Sequence, residues 1–90
     1  MAKSIDRIVC LTVTTTAQDV AVNSKTFMIE NLGDMPVYFK EKAWDNEDCT
    51  TTNGFGIPGN TLVDEKFTAD VLSVVGLEST DVRIIFLREY

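Results

Sequence analysis

Histidine is absent from this 90-residue chain, and basic residues are scarce: eight Lys and Arg stand against fourteen Asp and Glu, a formal charge of −6. The first absence removes the commonest general base and the commonest metal ligand. A Ser or Cys nucleophile would need a lysine or carboxylate base, and no local pattern pairs them. No enzymatic activity is expected. The second shortage disfavours partners with a phosphate backbone and anionic membranes, because no basic run longer than Lys40-Glu41-Lys42 offsets the acidic surface. Neither a nucleic-acid nor a membrane partner is expected. No apolar run approaches the roughly 18 residues that span a bilayer, and charges interrupt the N-terminal "MAKSIDRIVCLTV", so a soluble chain made in a cytoplasm is expected.

Cysteine is also sparse. Cys10 and Cys49 are too far apart in sequence for a C-x-x-C site, and zinc would need further ligands from carboxylates alone. No metal or cofactor is expected. Cys10 lies inside an apolar run and reads as a small buried filler. Cys49 follows Asp45-Asn46-Glu47-Asp48 and reads as exposed; nearby carboxylates would raise its thiol pKa. That makes it a candidate intersubunit thiol rather than a nucleophile.

What the chain does have is β-forming residues: ten Val, six Ile and eleven Thr. Ile8–Val13, Ala17–Asn23, Asp70–Val75 and Val82–Leu87 read as strands, the third bounded by Gly76 and the last preceded by a turn at Ser79-Thr80-Asp81. Thr26–Asn31 and Pro36–Lys42 flank "LGDM", where Gly33 could supply a positive φ, and together they read as a hairpin. On that strand Tyr38 and Phe39 point to opposite faces, so one of them faces outward or toward a neighbour. The stretch 43–53 lacks the spaced oxygen ligands and mid-loop glycine of a calcium loop and reads as a solvated connection. Trp44, at its start, is either a lid on the core or an interface residue. Thr61–Leu72 has Leu62, Lys66 and Ala69 at helical spacing, enough for one turn at most. The expected fold is all-β: a single-domain antiparallel β-sandwich or small jelly-roll-like barrel of six to eight strands.

One stretch, "GFGIPG" (Gly54 to Gly59), satisfies the G-x-G-x-x-G fingerprint of dinucleotide sites. That motif functions between a parallel strand and a helix whose N-terminus faces the pyrophosphate, and no βαβ unit fits here. Pro58 also removes an amide donor, and no Gly-Lys-Ser/Thr closes a phosphate loop. As a turn it is coherent: Asn53-Gly54 tolerates positive φ, and Pro58-Gly59 suits a type II turn. Phe55 and Ile57 then either cap the end of the sandwich or anchor a partner protein.

Three stretches taken together, "FMIENLGDMPVYFK" (Phe27 to Lys40), "TTNGFGIPGNTL" (Thr51 to Leu62) and "DVRIIFL" (Asp81 to Leu87), resemble small virion accessory proteins of tailed bacteriophages. The resemblance spans about Leu11 to Leu87. It implies a β-sandwich protein without activity or cofactor, on the surface of the virion, working in many copies. A symmetric homo-oligomer is implied, with a trimer favoured. Its implied partners are the major capsid protein or other virion proteins, as in head decoration (cement) proteins. A receptor- or glycan-binding fibre module and a head–tail neck component are the alternatives. The candidate interface residues are Phe55, Ile57, Trp44 and Tyr38, with Cys49 as the candidate intersubunit thiol.

Overall fold

The computed structural model describes residues 3–89, and the side chains of 4–88; the first two residues of the charged N-terminal stretch lie outside. Eight strands account for the regular structure: β1 (Lys3–Val13), β2 (Gln18–Ala21), β3 (Thr26–Asn31), β4 (Val37–Glu41), β5 (Phe55–Ile57), β6 (Thr61–Thr68), β7 (Val71–Gly76) and β8 (Thr80–Glu89). Every pairing is antiparallel. The partners nest: β1 with β8, β2 with β7, β3 with β6 and β4 with β5. A chain folded as one long hairpin and then rolled up gives this nesting. Two lateral pairings, β3 with β8 and β4 with β7, complete sheets of order β1-β8-β3-β6 and β2-β7-β4-β5. This is the strand order of a jelly roll, an eight-stranded double-sheet sandwich.

Alternation within the strands builds the core. In β3, Phe27, Ile29 and Asn31 are buried, while Thr26, Met28 and Glu30 are only partly covered. The neighbouring row on β8 (Val82, Ile84, Phe86) and the facing rows on β4 and β7 (Val37, Phe39, Leu72, Val74) fill the space between the sheets. Phenyl rings knit the open side: Phe39 lies 5.5 Å from Phe67 and 5.3 Å from Phe55, and Phe27 lies 6.0 Å from Phe67. Such pairs contribute about 0.5–1.5 kcal/mol each beyond burial. Arg7 closes the layer with its guanidinium 4.6 Å above the Phe86 ring.

Two local expectations are corrected. The hairpin across "LGDM" does not form, because β3 and β4 lie in different sheets and residues 32–36 cross between them. Their pairing partners are far along the chain, so local turn chemistry does not decide the pairing. No described glycine has a positive φ; that backbone state falls instead to Asn23, Ser24, Asn46 and Asn60. The crossing is held by Asn31, wholly buried, whose amide donates to the carbonyls of Met35 (2.8 Å), Pro58 (3.2 Å) and Ile57 (3.3 Å). Its Oδ1 accepts from Gly33 N–H at 3.1 Å.

The helical turn within Thr61–Leu72 is the second correction, since that stretch is strand β6 leading into β7. Phe27 and Ile29 of β3, two residues apart, face Phe67 and Val63 of β6, four apart. The bulge puts Val63 and Phe67 on one face. Leu62 and Lys66, whose spacing suggests the helical turn, are exposed on β6, and Ala69 is buried just beyond its end.

Candidate interaction surfaces

The segment "GFGIPG" is neither a cradle nor a free loop: Phe55–Ile57 forms edge strand β5, with Phe55 opposite Phe39 and Ile57 opposite Val37. Ile57 is 1% exposed and belongs to the core, which removes it as a partner anchor. Phe55 is 51% exposed, one side of its ring packed on Phe39 and Phe67, so it caps the open side and still presents surface. Gly59 is required by closeness, not by φ: a Cβ there would collide with the Asp34 backbone. The chain then turns at Asn60, whose N–H donates to Gly33 O at 2.8 Å. Tyr38 faces outward on β4, half-buried, and lines a shallow cleft with Pro36, Gly56 and Pro58.

The acidic connection 42–54 is a strap across the outer face of the second sheet. Lys40 Nζ binds the Asp45 carboxylate at 2.8 Å, and Lys42 Nζ reaches Asp48 at 2.8 Å and Asp19 at 3.0 Å. The hydrogen bond from Lys40, with a further one from Glu47 N–H, holds the Asp45 carboxyl below the usual range. The bonds to Asp48 and Asp19 raise Lys42. These carboxylates are therefore matched by lysines rather than merely solvated. Beneath the strap, Cys49 N–H donates to Ser73 Oγ at 2.8 Å, and Cys49, Ser73 and Val75 are all buried. Gly54 lies over the sulfur, where a Cβ would collide with Cys49 Sγ.

The thiols thus exchange the places expected of them. Cys49 is 2% exposed, and burial pushes its pKa up to about 11, with Lys40 opposing weakly. A thiol in this position is closed to another subunit. Cys10 is exposed. The alternation set by the inward Leu11 and Val13 already places Cys10 outward, a signal that outweighs membership of an apolar run.

The outer face of the first sheet carries residues that sequence reasoning missed. Across β1, β8 and β3 the register aligns Ile8, Ile85 and Met28 in one row, Ile5, Leu87 and Thr26 in the next, and Cys10, Arg83 and Glu30 on the other side. Ile84 and Phe86 point into the core, so Ile85 points out; it is only 9% exposed although it lies outside the core cluster. Ile5 and Ile8 are 61% and 46% exposed. A bulge at Asp6 brings both onto the same face although they are three residues apart, a spacing that matches no strand period. The doubled Ile84-Ile85 was the one legible trace of an apolar outer face.

Trp44 is no lid. It is 89% exposed at the end of the sandwich where the β2–β3, β4–β5 and β6–β7 connections meet, beside a cleft lined by Ser24, Glu41, Thr68, Ala69 and Asp70. Among the described residues no group of three or more His, Cys, Asp or Glu could hold a metal ion, and no helix is long and apolar enough to cross a membrane. Comparison with family models, curated proteins and solved structures gives no match.

Proposed function

We propose that this protein is a non-enzymatic structural component of a tailed-phage particle, a decoration protein that attaches to the major capsid protein through the outer face of its first sheet. The observation that carries the proposal is the exposed pair Ile5 and Ile8 at the free edge of β1, continued inward on the same face by the partly covered Met28 and Leu87 and the nearly covered Ile85. Contiguous exposed apolar surface rimmed by polar residues is the usual mark of a protein-binding site. Here the rim is Glu30, Arg83 and Thr12. The resemblance of the three stretches to virion accessory proteins supplies the partner. A jelly roll hosts many functions, so the fold itself adds nothing to that choice.

A shell-bound copy stabilises the particle by mass action, since a ligand that binds only the assembled state favours it. Symmetric association of the copies, with a trimer favoured, would bury the free β1 edge as well. The test is to add purified protein to capsids lacking it and to measure binding and resistance to heat and osmotic shock. Wild type should bind and protect. The Ile8→Asp variant should do neither while keeping the thermal midpoint of the free protein. Absence of wild-type binding, or full binding by Ile8→Asp, overturns the proposal.

A further inference from the structure

Trp44, the sole tryptophan, leaves 89% of its surface in water. The cleft beside it, about 230 Å³, has an apolar floor at Ala69 and polar walls at Ser24, Thr68, Glu41 and Asp70. Those walls are fixed from behind. Glu41 Oε1 accepts from Asp70 N–H at 2.7 Å, and Oε2 accepts from Val71 N–H at 2.9 Å and Ala43 N–H at 3.3 Å. One carboxylate thereby ties the segment leading to Trp44 to the β6–β7 corner. Burial works to raise the Glu41 pKa, but these backbone donors together outweigh it and hold the group below its ordinary value.

Ser24 occupies the left-handed region at φ 63, a conformation that costs a serine more than it costs glycine or asparagine. It is held there by its N–H to Ala69 O (2.8 Å) and by its hydroxyl, which donates to Asp70 Oδ1. The other Asp70 oxygen accepts no hydrogen bond among the described residues.

We propose that this cleft binds a neutral saccharide, with one pyranose ring stacked by its C–H face on the Trp44 indole. The ring's hydroxyl edge then meets Asp70 Oδ2 and the Thr68 hydroxyl. A pyranose presents this combination, an apolar face bordered by hydroxyls that donate to a carboxylate. The cleft is smaller than the roughly 300–1,000 Å³ of drug-sized pockets, which suits a single ring. Sialylated or phosphorylated sugars are disfavoured by Glu41 and Asp70. The site does not rest on the virion reading. It lies at the end of the sandwich and includes none of Ile8, Ile85 and Met28, although Ser24 also borders a shallow pocket with Thr26 and Leu87. Many weak sites on one particle would act together through avidity.

Because Trp44 is the only tryptophan, its emission reports the site directly. Titrating the purified chain with glucose, galactose and N-acetylglucosamine up to about 100 mM should give a saturable change with at least one sugar, with Kd in about the millimolar range. Followed by ligand-observed NMR, Trp44→Ala should weaken binding at least about tenfold and Asp70→Asn by about three- to tenfold. Neither a sialylated disaccharide nor tetramethylammonium should compete. The substitution at Trp44 removes no buried contact, so the variant folds. No saturable response to any of the three sugars, binding that survives Trp44→Ala, or a response to tetramethylammonium alone overturns the proposal. All of these leave the capsid experiment unaffected.

Discussion

The outer faces of the two sheets received opposite treatment from one chain. On the second sheet, outward residues Ser73 and Val75 are buried because the strap 42–54 returns over them, pinned by Lys40 and Lys42 and sealed by Cys49 under Gly54. On the first, Ile5 and Ile8 stay in water because no connection of comparable length is available to cover them. A jelly roll leaves both outer faces open unless a long loop closes one. Here the only long connection among the described strands joins β4 to β5, which are neighbours in the second sheet. The difference teaches where polar sequence does structural work and where apolar sequence does not serve the core.

The contrast can be broken most severely at Gly54. Gly54→Val places side-chain atoms on Cys49 Sγ and against the Tyr38 side chain, and should lift the strap at a cost of about 2–4 kcal/mol. Urea denaturation measures the loss, and maleimide should label Cys49 far faster in the variant while Cys10 labels at an unchanged rate. Ser73→Ala should cost less, about 1–3 kcal/mol, since it leaves the buried Cys49 N–H without its acceptor.

The strap should also respond to pH at both ends of the range. Cys49 has a folded pKa of about 11 against an ordinary 9.0, so the unfolded chain loses this proton first. Its contribution is therefore complete below pH 9.0 and declines as pH rises toward about 11. Thermal midpoints should fall across that window, and Cys49→Ala should remove the fall. Glu41 and Asp45 are shifted the other way, so their contribution is present above the ordinary carboxylate range and lost as pH falls through their lowered values. Glu41→Gln should flatten the acid limb of the same profile.

The smallest effect is expected on the bare face. Ile5→Ser with Ile8→Ser should change the stability of the free chain by no more than about 0.5–1 kcal/mol, because the side chains are already largely in water. The same pair should reduce self-association in sedimentation, which would sharpen the distinction between a face that folds the protein and one that serves partners. A large loss of stability with unchanged association would erase that distinction.

Much of the fold was legible. The β-branched content, the alternation in Thr26–Asn31, and the strands ending the chain follow from local preferences that the tertiary structure leaves in place. The errors cluster where two distant segments decide the outcome. "LGDM" has good turn chemistry, yet β3 found β6 and β8, and β4 found β5 and β7. Of the candidate interface residues, Phe55 and Tyr38 keep accessible surface and Trp44 keeps nearly all of its own, while Ile57 is lost to the core. Cys49 looked exposed because its neighbours are charged. The lysines that pair with Asp45 and Asp48 are only five and six residues away, but the Ser73 hydroxyl that holds the backbone of Cys49 against the sheet is 24 positions on, and no local pattern marks it.

Residue chemistry alone therefore determined that this chain makes strands, and by alternation which side chains within most of them share a face. Both are properties of a few adjacent residues. Which strands pair, which face the strap covers, and which apolar residues remain outside were decided by the tertiary structure. Each depends on contacts between residues tens of positions apart, and their energies exist only once the chain has rolled up.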